Sequence, residues 1–121
     1  MESAEDHKAI RWVGTAYDDL VAFANTPRKE AGFQLGKAQA GLGPTEWKPF
    51  DEVGAETREI RISDAKGIFR VMFVAKFEEA IYVLHCFQKK TQSTAKRDKD
   101  IATARRVLKI RAVVNTRKIK P

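Results

Sequence analysis

The feature that most constrains the fold of this chain is a change in hydrophobic period close to residue 57. Apolar residues before this point recur at helical spacing, whereas the later segments 58–62, 68–75 and 80–88 alternate with the period of two that is typical of strands. The turns between these segments are short, and the one at 64–67 reads Asp-Ala-Lys-Gly, which suits a hairpin. The pattern therefore predicts three consecutive antiparallel strands.

A short strand and two helices are predicted ahead of this sheet. Residues 10–13 form an apolar run that ends at Gly14, and Thr15 followed by Asp18 indicates a capping box at the start of a helix. Pro27 suits the first turn of a second helix. The expected inward stripe of that helix consists of Ala31, Leu35, Ala38 and Leu42.

A last helix is predicted over about residues 95–114, and the stretch from 41 to 55 is expected to be a loop. The expected inward stripe of the last helix consists of Ile101, Ala104, Leu108 and Ala112. The resulting order is β-α-α-β-β-β-α. It predicts an α+β fold in which two helices pack on one face of a small, mostly antiparallel sheet and the last helix partly covers the other face.

Length and composition exclude several classes of protein. The chain has 121 residues, a formal charge of +7 and 43% hydrophobic residues, so we expect a single domain over residues 1–121 with flexible ends at 1–8 and 115–121. No apolar run could span a membrane and the N-terminus is acidic and polar, which predicts a cytoplasmic protein. Cys86 is the only cysteine, and His7 and His85 are the only histidines. We therefore expect neither a disulfide nor a metal or other cofactor.

Charge is strongly segregated along the chain. Residues 1–57 carry 6 basic and 10 acidic side chains, a net charge of −4, whereas residues 58–121 carry 17 basic and 6 acidic side chains, a net charge of +11. Such segregation predicts an electropositive surface for a polyanion such as nucleic acid. The alternative is a basic helix that only keeps the protein soluble.

Strand alternation assigns the charged residues of the first two predicted strands to faces. Glu59, Arg61 and Arg70 point away from their apolar neighbours, whereas Arg58 shares the apolar face at the start of its strand, where a long side chain can reach solvent. An arginine in a central strand requires a partner or a ligand, because burial of an unpaired charge is costly. A cross-strand ion pair between Glu59 and Arg70 is thus the structural alternative to ligand binding.

The third predicted strand ends in a group of residues suited to RNA. Alternation places His85, Phe87 and Lys89 on one face, and Lys90 follows. An imidazole, an aromatic ring and an ammonium in a row suit a stacked base beside a phosphate. The alternative is that His85 is a satisfied sheet residue and that the lysines are a solvated strand end.

These segments together resemble the RelE/ParE toxin superfamily, and specifically its HigB-like, phage-derived branch. The resemblance rests on Arg-Glu-Ile-Arg at 58–61, Phe-Arg-Val-Met-Phe at 69–73 and Leu-His-Cys-Phe-Gln-Lys-Lys-Thr at 84–91, and it covers about residues 10–108. The fold of that superfamily has the element order predicted above. Its members are typically toxins of type II toxin–antitoxin systems that cleave mRNA on the ribosome, whereas ParE-like members inhibit gyrase.

The resemblance implies an endoribonuclease, or mRNA interferase, that uses no metal and leaves a 2′,3′-cyclic phosphate after attack by the RNA 2′-hydroxyl. Arg61 and Arg70 would stabilise the phosphorane, because a guanidinium can bind two phosphate oxygens at once. His85 would act as acid or base, because imidazoles titrate near neutral pH. The implied RNA-binding residues are Lys48, Arg58, Phe87, Lys89 and Lys90.

The implied partners are the ribosome, mRNA and a helix-turn-helix, HigA-like antitoxin in a toxin–antitoxin hetero-oligomer, with no membrane partner. One departure from the family matters. Related nucleases often place a catalytic Tyr or His near the end of the last strand or in the tail, but here no Tyr follows Tyr82 and no His follows His85. The base is therefore missing or replaced.

That departure keeps two alternatives open. One is a non-catalytic RelE/ParE-fold binding protein, either a gyrase-type inhibitor or a degenerate toxin that binds only antitoxin and nucleic acid. The other is a plain basic nucleic-acid-binding domain, whose affinity would fall steeply with salt.

Overall fold

The computed structural model describes residues 7–89 and 94–119, which form five strands and three helices. The elements are β1 (Ala9–Trp12), α1 (Ala16–Val21), α2 (Asn25–Gln39), β2 (Trp47–Pro49), β3 (Thr57–Asp64), β4 (Gly67–Val74), β5 (Ala80–Lys89) and α3 (Lys96–Ile119). The predicted α+β fold is confirmed. The flexible ends predicted from the sequence fall in part on residues 1–6 and 120–121, which lie outside the described residues.

The strands form one mixed sheet in the order β1-β5-β4-β3-β2. β1 runs parallel to β5, and the other neighbours are antiparallel, as consecutive hairpins require. Helices α1 and α2 cover one face through a core that includes Leu35, Ile60 and Phe73. A second core on the other face includes Met72 and Leu84. Both faces of the central strands are therefore buried over much of their length.

A β-bulge interrupts the pairing of the two central strands. Met72 of β4 pairs with His85 of β5, but the next residue, Phe73, pairs with Val83, so that Leu84 is an extra residue on β5. An extra residue reverses the alternation of side chains along the strand beyond it.

The bulge determines which side chains of β5 face α1 and α2 and which face the other side of the sheet. Val83 before the bulge and Cys86 after it both pack into the core beneath α1 and α2. His85, Phe87 and Lys89 consequently lie on the opposite face, as the alternation of the predicted third strand indicates. The strand thus contributes to both cores, and its pairing with β4 continues on each side of the bulge.

Two local expectations for the first helices are wrong. Thr15 does not cap α1 through a backbone amide; its hydroxyl instead donates a hydrogen bond to the carboxylate of Asp19 at 2.8 Å. In α2, the inward stripe holds for Ala31, Leu35 and Ala38, but Leu42 lies beyond the helix end at Gln39 and is exposed. The spacing of the apolar residues continues to Leu42, although the helix ends before the glycine-rich segment at 41–43.

The expected inward stripe of α3 is also wrong. The exposed residues include Ala104, Leu108 and Ala112, whereas the residues packed against the sheet are Ala102, Ile110 and Val113. The reason is that Arg105 and Arg106 also point toward the sheet, between these apolar residues. A prediction that assigns only apolar residues to the buried side of a helix cannot include such arginines. None of the helices in residues 7–89 and 94–119 is long and apolar enough to cross a membrane.

Candidate active site

Two arginines lie opposite each other on neighbouring central strands. Arg61 of β3 and Arg70 of β4 are directly paired in the register of the hairpin, on the face away from α1 and α2. Arg61 is exposed, whereas only 3% of Arg70 is accessible. Like charges directly opposite each other in a sheet repel, so this pair requires a compensating anion.

Glu59 supplies part of that compensation. Its side chain is wholly buried, and Nη1 of Arg70 donates a hydrogen bond to its Oε1 at 2.7 Å. The cross-strand ion pair expected from the sequence is therefore present. The ion pair leaves one polar atom of each side chain unpaired: Oε2 of Glu59 and Nε of Arg70 are buried without a hydrogen-bond partner among the described residues.

Lys48 reaches this ion pair from the edge strand β2. Lys48 is paired with Glu59 in the register of β2 and β3, and its Nζ lies 3.9 Å from Oε1 of Glu59. The Lys48 side chain is 59% exposed, in contrast to the buried carboxyl that it approaches. The sequence placed Lys48 in a loop, because a strand of three residues containing a proline gives almost no periodic signal.

These side chains surround one cavity of about 340 Å³ at the surface of the sheet. Its lining residues are Thr45, Glu46, Trp47, Lys48, Glu59, Arg61 and Arg70. Three of them are cationic and two carry carboxyl groups. A cavity with two guanidiniums and an ammonium can bind a phosphodiester, and the guanidinium planes suit its non-bridging oxygens.

Burial and charge shift the pKa values of two groups at this site. Burial raises the pKa of Glu59, and the positive charges of Arg70, Lys48 and Lys89 oppose that shift without cancelling it. Loss of solvation, followed by repulsion from Arg70, lowers the pKa of Lys89. An acid and a base whose pKa values both move toward neutrality are typical of sites that transfer protons.

His85 is held away from the cavity by α3. Its Nε2 donates a hydrogen bond to Oδ1 of Asp98 at 2.8 Å, and its Nδ1 is buried without a partner among the described residues. The imidazole stacks on the ring of Phe87, with 4.9 Å between centroids. Neither residue lines the cavity around Arg61, and both are buried.

The remaining residues implied in RNA binding lie in different places. Arg58 stacks on the ring of Trp47, with its guanidinium carbon 4.5 Å from the ring centroid, and shares the sheet face of Ile60 rather than that of Arg61. Lys89 ends β5 on the same face as Arg61. Lys90 lies outside the described residues.

Sequence reasoning treated Glu59 only as a structural partner and did not include it among the candidate catalytic residues. The signal that could have identified it is a carboxylate alternating with arginine on one strand face, opposite a second arginine. Within residues 7–89 and 94–119, no three His, Cys, Asp or Glu side chains come together as possible metal ligands. Cys86 is buried in the helix-side core, where burial raises the pKa of its thiol.

The fold and the cavity together define a small α+β protein with a cavity lined by three cationic side chains on the sheet face opposite its first two helices. The chain matches the family model described as phage-derived protein Gp49-like (DUF891) over residues 18–107, and it therefore belongs to that family, which is associated with the toxins of toxin–antitoxin systems. No curated protein matches the chain.

Proposed function

We propose that this protein is the toxin of a type II toxin–antitoxin system and that it cleaves mRNA on the ribosome, as HigB-like toxins of the RelE superfamily do. The observation that best supports this proposal is the direct pairing of Arg61 with Arg70 beside a cavity of about 340 Å³. Membership of the Gp49-like family supports the toxin assignment. The proposed place of action is the cytoplasm, where translating ribosomes are found.

The charge pattern of the cavity suits an anionic ligand. Arg61 lies directly opposite Arg70, the buried carboxylate of Glu59 is hydrogen-bonded to Arg70, and the buried Nε–H of Arg70 has no acceptor among the described residues. A phosphodiester in the cavity would relieve the repulsion between the guanidiniums and would supply acceptors for the unused donors. The same contacts strengthen as the phosphorus acquires a fifth ligand, because more negative charge then faces the two guanidiniums.

The proposed reaction breaks the P–O5′ bond of mRNA by attack of the adjacent 2′-hydroxyl. The products are a 2′,3′-cyclic phosphate and a free 5′-hydroxyl. Arg61 and Arg70 hold the non-bridging oxygens, and Lys48, whose side chain is largely exposed, binds the phosphate from the β2 edge. The HigA-like antitoxin would hold the toxin inactive in a hetero-oligomer.

Expression of the wild-type chain and of Arg61→Gln in growing bacteria tests this function. Wild-type protein is expected to arrest growth and to produce new mRNA 5′ ends at ribosomal A-site positions, mapped by primer extension. Arg61→Gln should reduce the rate of cleavage about 100-fold, because loss of one preorganised donor to the phosphorane has an effect of that order. Arg61 is exposed, so its substitution should leave the protein folded.

Arg111→Gln is the matched control, because Arg111 is an exposed arginine on α3 rather than in the cavity lining. It should cleave like the wild type. If the wild-type chain arrests growth without producing new 5′ ends, the nuclease proposal is wrong.

One observation favours a second candidate function. Among the described residues, neither a histidine nor a tyrosine lines the cavity, and the buried imidazole of His85 is hydrogen-bonded to Asp98 instead. A RelE/ParE-fold protein with no proton acceptor would bind without cleaving, either as a gyrase-type inhibitor or as a degenerate toxin. Growth arrest accompanied by loss of DNA supercoiling and by intact mRNA would support that alternative.

A further inference from the structure

We infer that Glu59 is the catalytic base of this site and takes the proton from the RNA 2′-hydroxyl. The inference rests on the proposed nuclease function. Glu59 lines the cavity together with Arg61 and Arg70, and it is the buried carboxyl of that lining. It thus occupies the centre of the group of cations that would surround the scissile phosphate.

The two carboxylate oxygens of Glu59 have different surroundings. Oε1 accepts the hydrogen bond from Arg70 and lies near Lys48, whereas Oε2 has no donor among the described residues. A buried acceptor without a donor has a substantial free-energy cost, so it binds strongly to a donor that enters the cavity. The ribose 2′-hydroxyl next to a bound phosphate is such a donor.

Lys48 links substrate binding to the basicity of Glu59. Its side chain is 59% exposed, and its Nζ lies 3.9 Å from Oε1 of a carboxyl that is 0% exposed. A phosphate that binds in the cavity attracts the ammonium of Lys48 away from Glu59, because the phosphate is the more accessible anion. The positive charge of Lys48 lowers the pKa of Glu59, so this movement makes the carboxylate a stronger base as the substrate arrives.

The charged groups that face Glu59 come from every strand around it: Lys48 from β2, Arg61 from its own strand, Arg70 from β4 and Lys89 from β5. Despite these cations, burial keeps the pKa of Glu59 above its ordinary value, which makes the carboxylate a stronger base than an exposed one. The lowered pKa of Lys89 makes its ammonium a better acid. Lys89 lies at the end of β5 on the same sheet face as Glu59 and Arg70, and its charge acts on Glu59. This placement beside the cavity lining assigns Lys89 as the proton donor that complements Glu59.

The proposed step is balanced in protons and electron pairs. Oε2 of Glu59 accepts the 2′-hydroxyl proton while O2′ forms a bond to phosphorus. The P–O5′ bond breaks, and O5′ leaves with a proton from the ammonium of Lys89. The protonated Glu59 and the neutral Lys89 amine return to their starting states by exchanging one proton through solvent.

The test is single-turnover cleavage of mRNA on programmed ribosomes by the full-length protein, over the pH range in which the ribosome is intact. Wild-type enzyme should lose activity toward acid pH as Glu59 is protonated. Glu59→Gln should be slower by about 100-fold or more and should lose that acid limb, while its affinity for ribosomes stays close to that of the wild type. Glu59→Asp, which keeps a shorter base, should retain part of the rate and the acid limb.

Two further variants separate catalysis from structure. Glu78→Gln changes an exposed glutamate in the turn before β5 and should behave as the wild type. Glu59→Ala should recover part of its rate when formate is added, which a purely structural carboxyl would not allow. Lys89→Arg keeps the positive charge but raises the acid's pKa, so it should slow the reaction without weakening ribosome binding.

The possible outcomes distinguish this inference from the proposed function. If the wild-type protein cleaves and Glu59→Gln, folded by circular dichroism, cleaves within a few-fold of it with the same acid limb, Glu59 is not the base. If Glu59→Gln does not fold, a wild-type rate that does not fall toward acid pH leads to the same conclusion. If the wild-type protein itself does not cleave, the nuclease function fails.

Discussion

Glu59 and Arg70 place two opposite charges inside the sheet, where neither is exposed to water by more than a few per cent. Each ion loses its hydration on folding, and the single hydrogen bond between Nη1 and Oε1 returns only part of that free energy. Apolar side chains of similar volume would stabilise such a position at least as well. The pair is therefore better explained by a role in the cavity than by a contribution to stability.

The pH dependence of stability provides a test of this residue-level description. The pKa of Glu59 is raised in the folded state, so the folded protein binds a proton at this site more tightly than the unfolded chain does. The associated stabilisation is complete below the ordinary pKa of 4.5 and is lost as pH rises through the folded-state pKa.

We therefore expect acidification from neutral pH toward 4.5 to stabilise the wild-type protein relative to Glu59→Gln. Urea unfolding of both proteins across this range measures the difference in the free energy of unfolding. Glu78→Gln should show no comparable pH-dependent difference from the wild type. A wild-type protein that loses stability relative to Glu59→Gln on acidification would contradict the direction assigned to the Glu59 pKa.

At the scale of elements, α3 is held to the sheet by arginines as well as by apolar packing. Arg105 donates hydrogen bonds to the carbonyl oxygen of Leu84, the extra residue of the bulge, at 2.9 Å and to the hydroxyl of Thr15 at 3.0 Å. It crosses directly over Gly14, where φ is +60° and an added Cβ would lie 2.6 Å from Nε of the guanidinium. Arg106 donates to the carbonyl oxygen of Ala55.

Replacement of Arg105 by glutamine should destabilise the fold by about 2 kcal/mol, because two charge-assisted hydrogen bonds are lost and the carbonyl oxygen at the bulge loses its donor. Arg111→Gln removes an exposed arginine from the same helix and should change stability by less than about 0.5 kcal/mol. Urea unfolding measures both. Equal effects of the two substitutions would show that Arg105 does not fasten α3 to the sheet.

Particular elements show how much the sequence could predict. The first two hairpin strands, β3 and β4, were predictable because their period of two is uninterrupted, and the same alternation correctly placed Arg61 and Arg70 on the face opposite α1 and α2. The ion pair between Glu59 and Arg70 followed from the cost of an unpaired buried charge.

Other features depend on tertiary contacts that leave no periodic signal. The strand β2 is three residues long and is fixed by its pairing with β3, so Lys48 could not be placed beside Glu59 in advance. The bulge at Leu84 is stabilised in part by Arg105, which is 21 residues away in the chain. The position of His85 beneath α3 depends on Asp98 in the same way.

At the scale of the whole molecule, the net charge of +11 in the second half overstates the positive charge that is free to bind a polyanion. Arg70 is paired with Glu59, Lys99 lies 3.1 Å from a carboxylate oxygen of Glu52, and the two inward arginines of α3 are bonded to backbone carbonyls. These cations hold the fold together. The charges of this half left for a polyanion include the exposed Arg61, and the first half adds the exposed Lys48 at the same cavity.

This distinction predicts different salt dependences for two arginine substitutions. Each cation that neutralises a phosphate contributes close to one unit to the slope of log K against log salt concentration. Arg61→Gln should therefore reduce that slope by about one, whereas Arg106→Gln should leave it unchanged. Fluorescence anisotropy with a short 2′-O-methylated RNA, which cannot be cleaved, measures both. A reduced slope for Arg106→Gln would place that side chain at the RNA surface.

The bulge at Leu84 also limits how this chain can change over generations. Substitutions alter one side chain at a time, but the loss or gain of a single codon between Val83 and His85 would turn Lys89 toward α1 and α2 and turn Cys86 toward the sheet face that carries the cavity. Changes of two codons would preserve the orientation of every later residue in the strand. Whether this segment has an odd or an even number of residues is thus under stronger constraint than the identity of most residues in it.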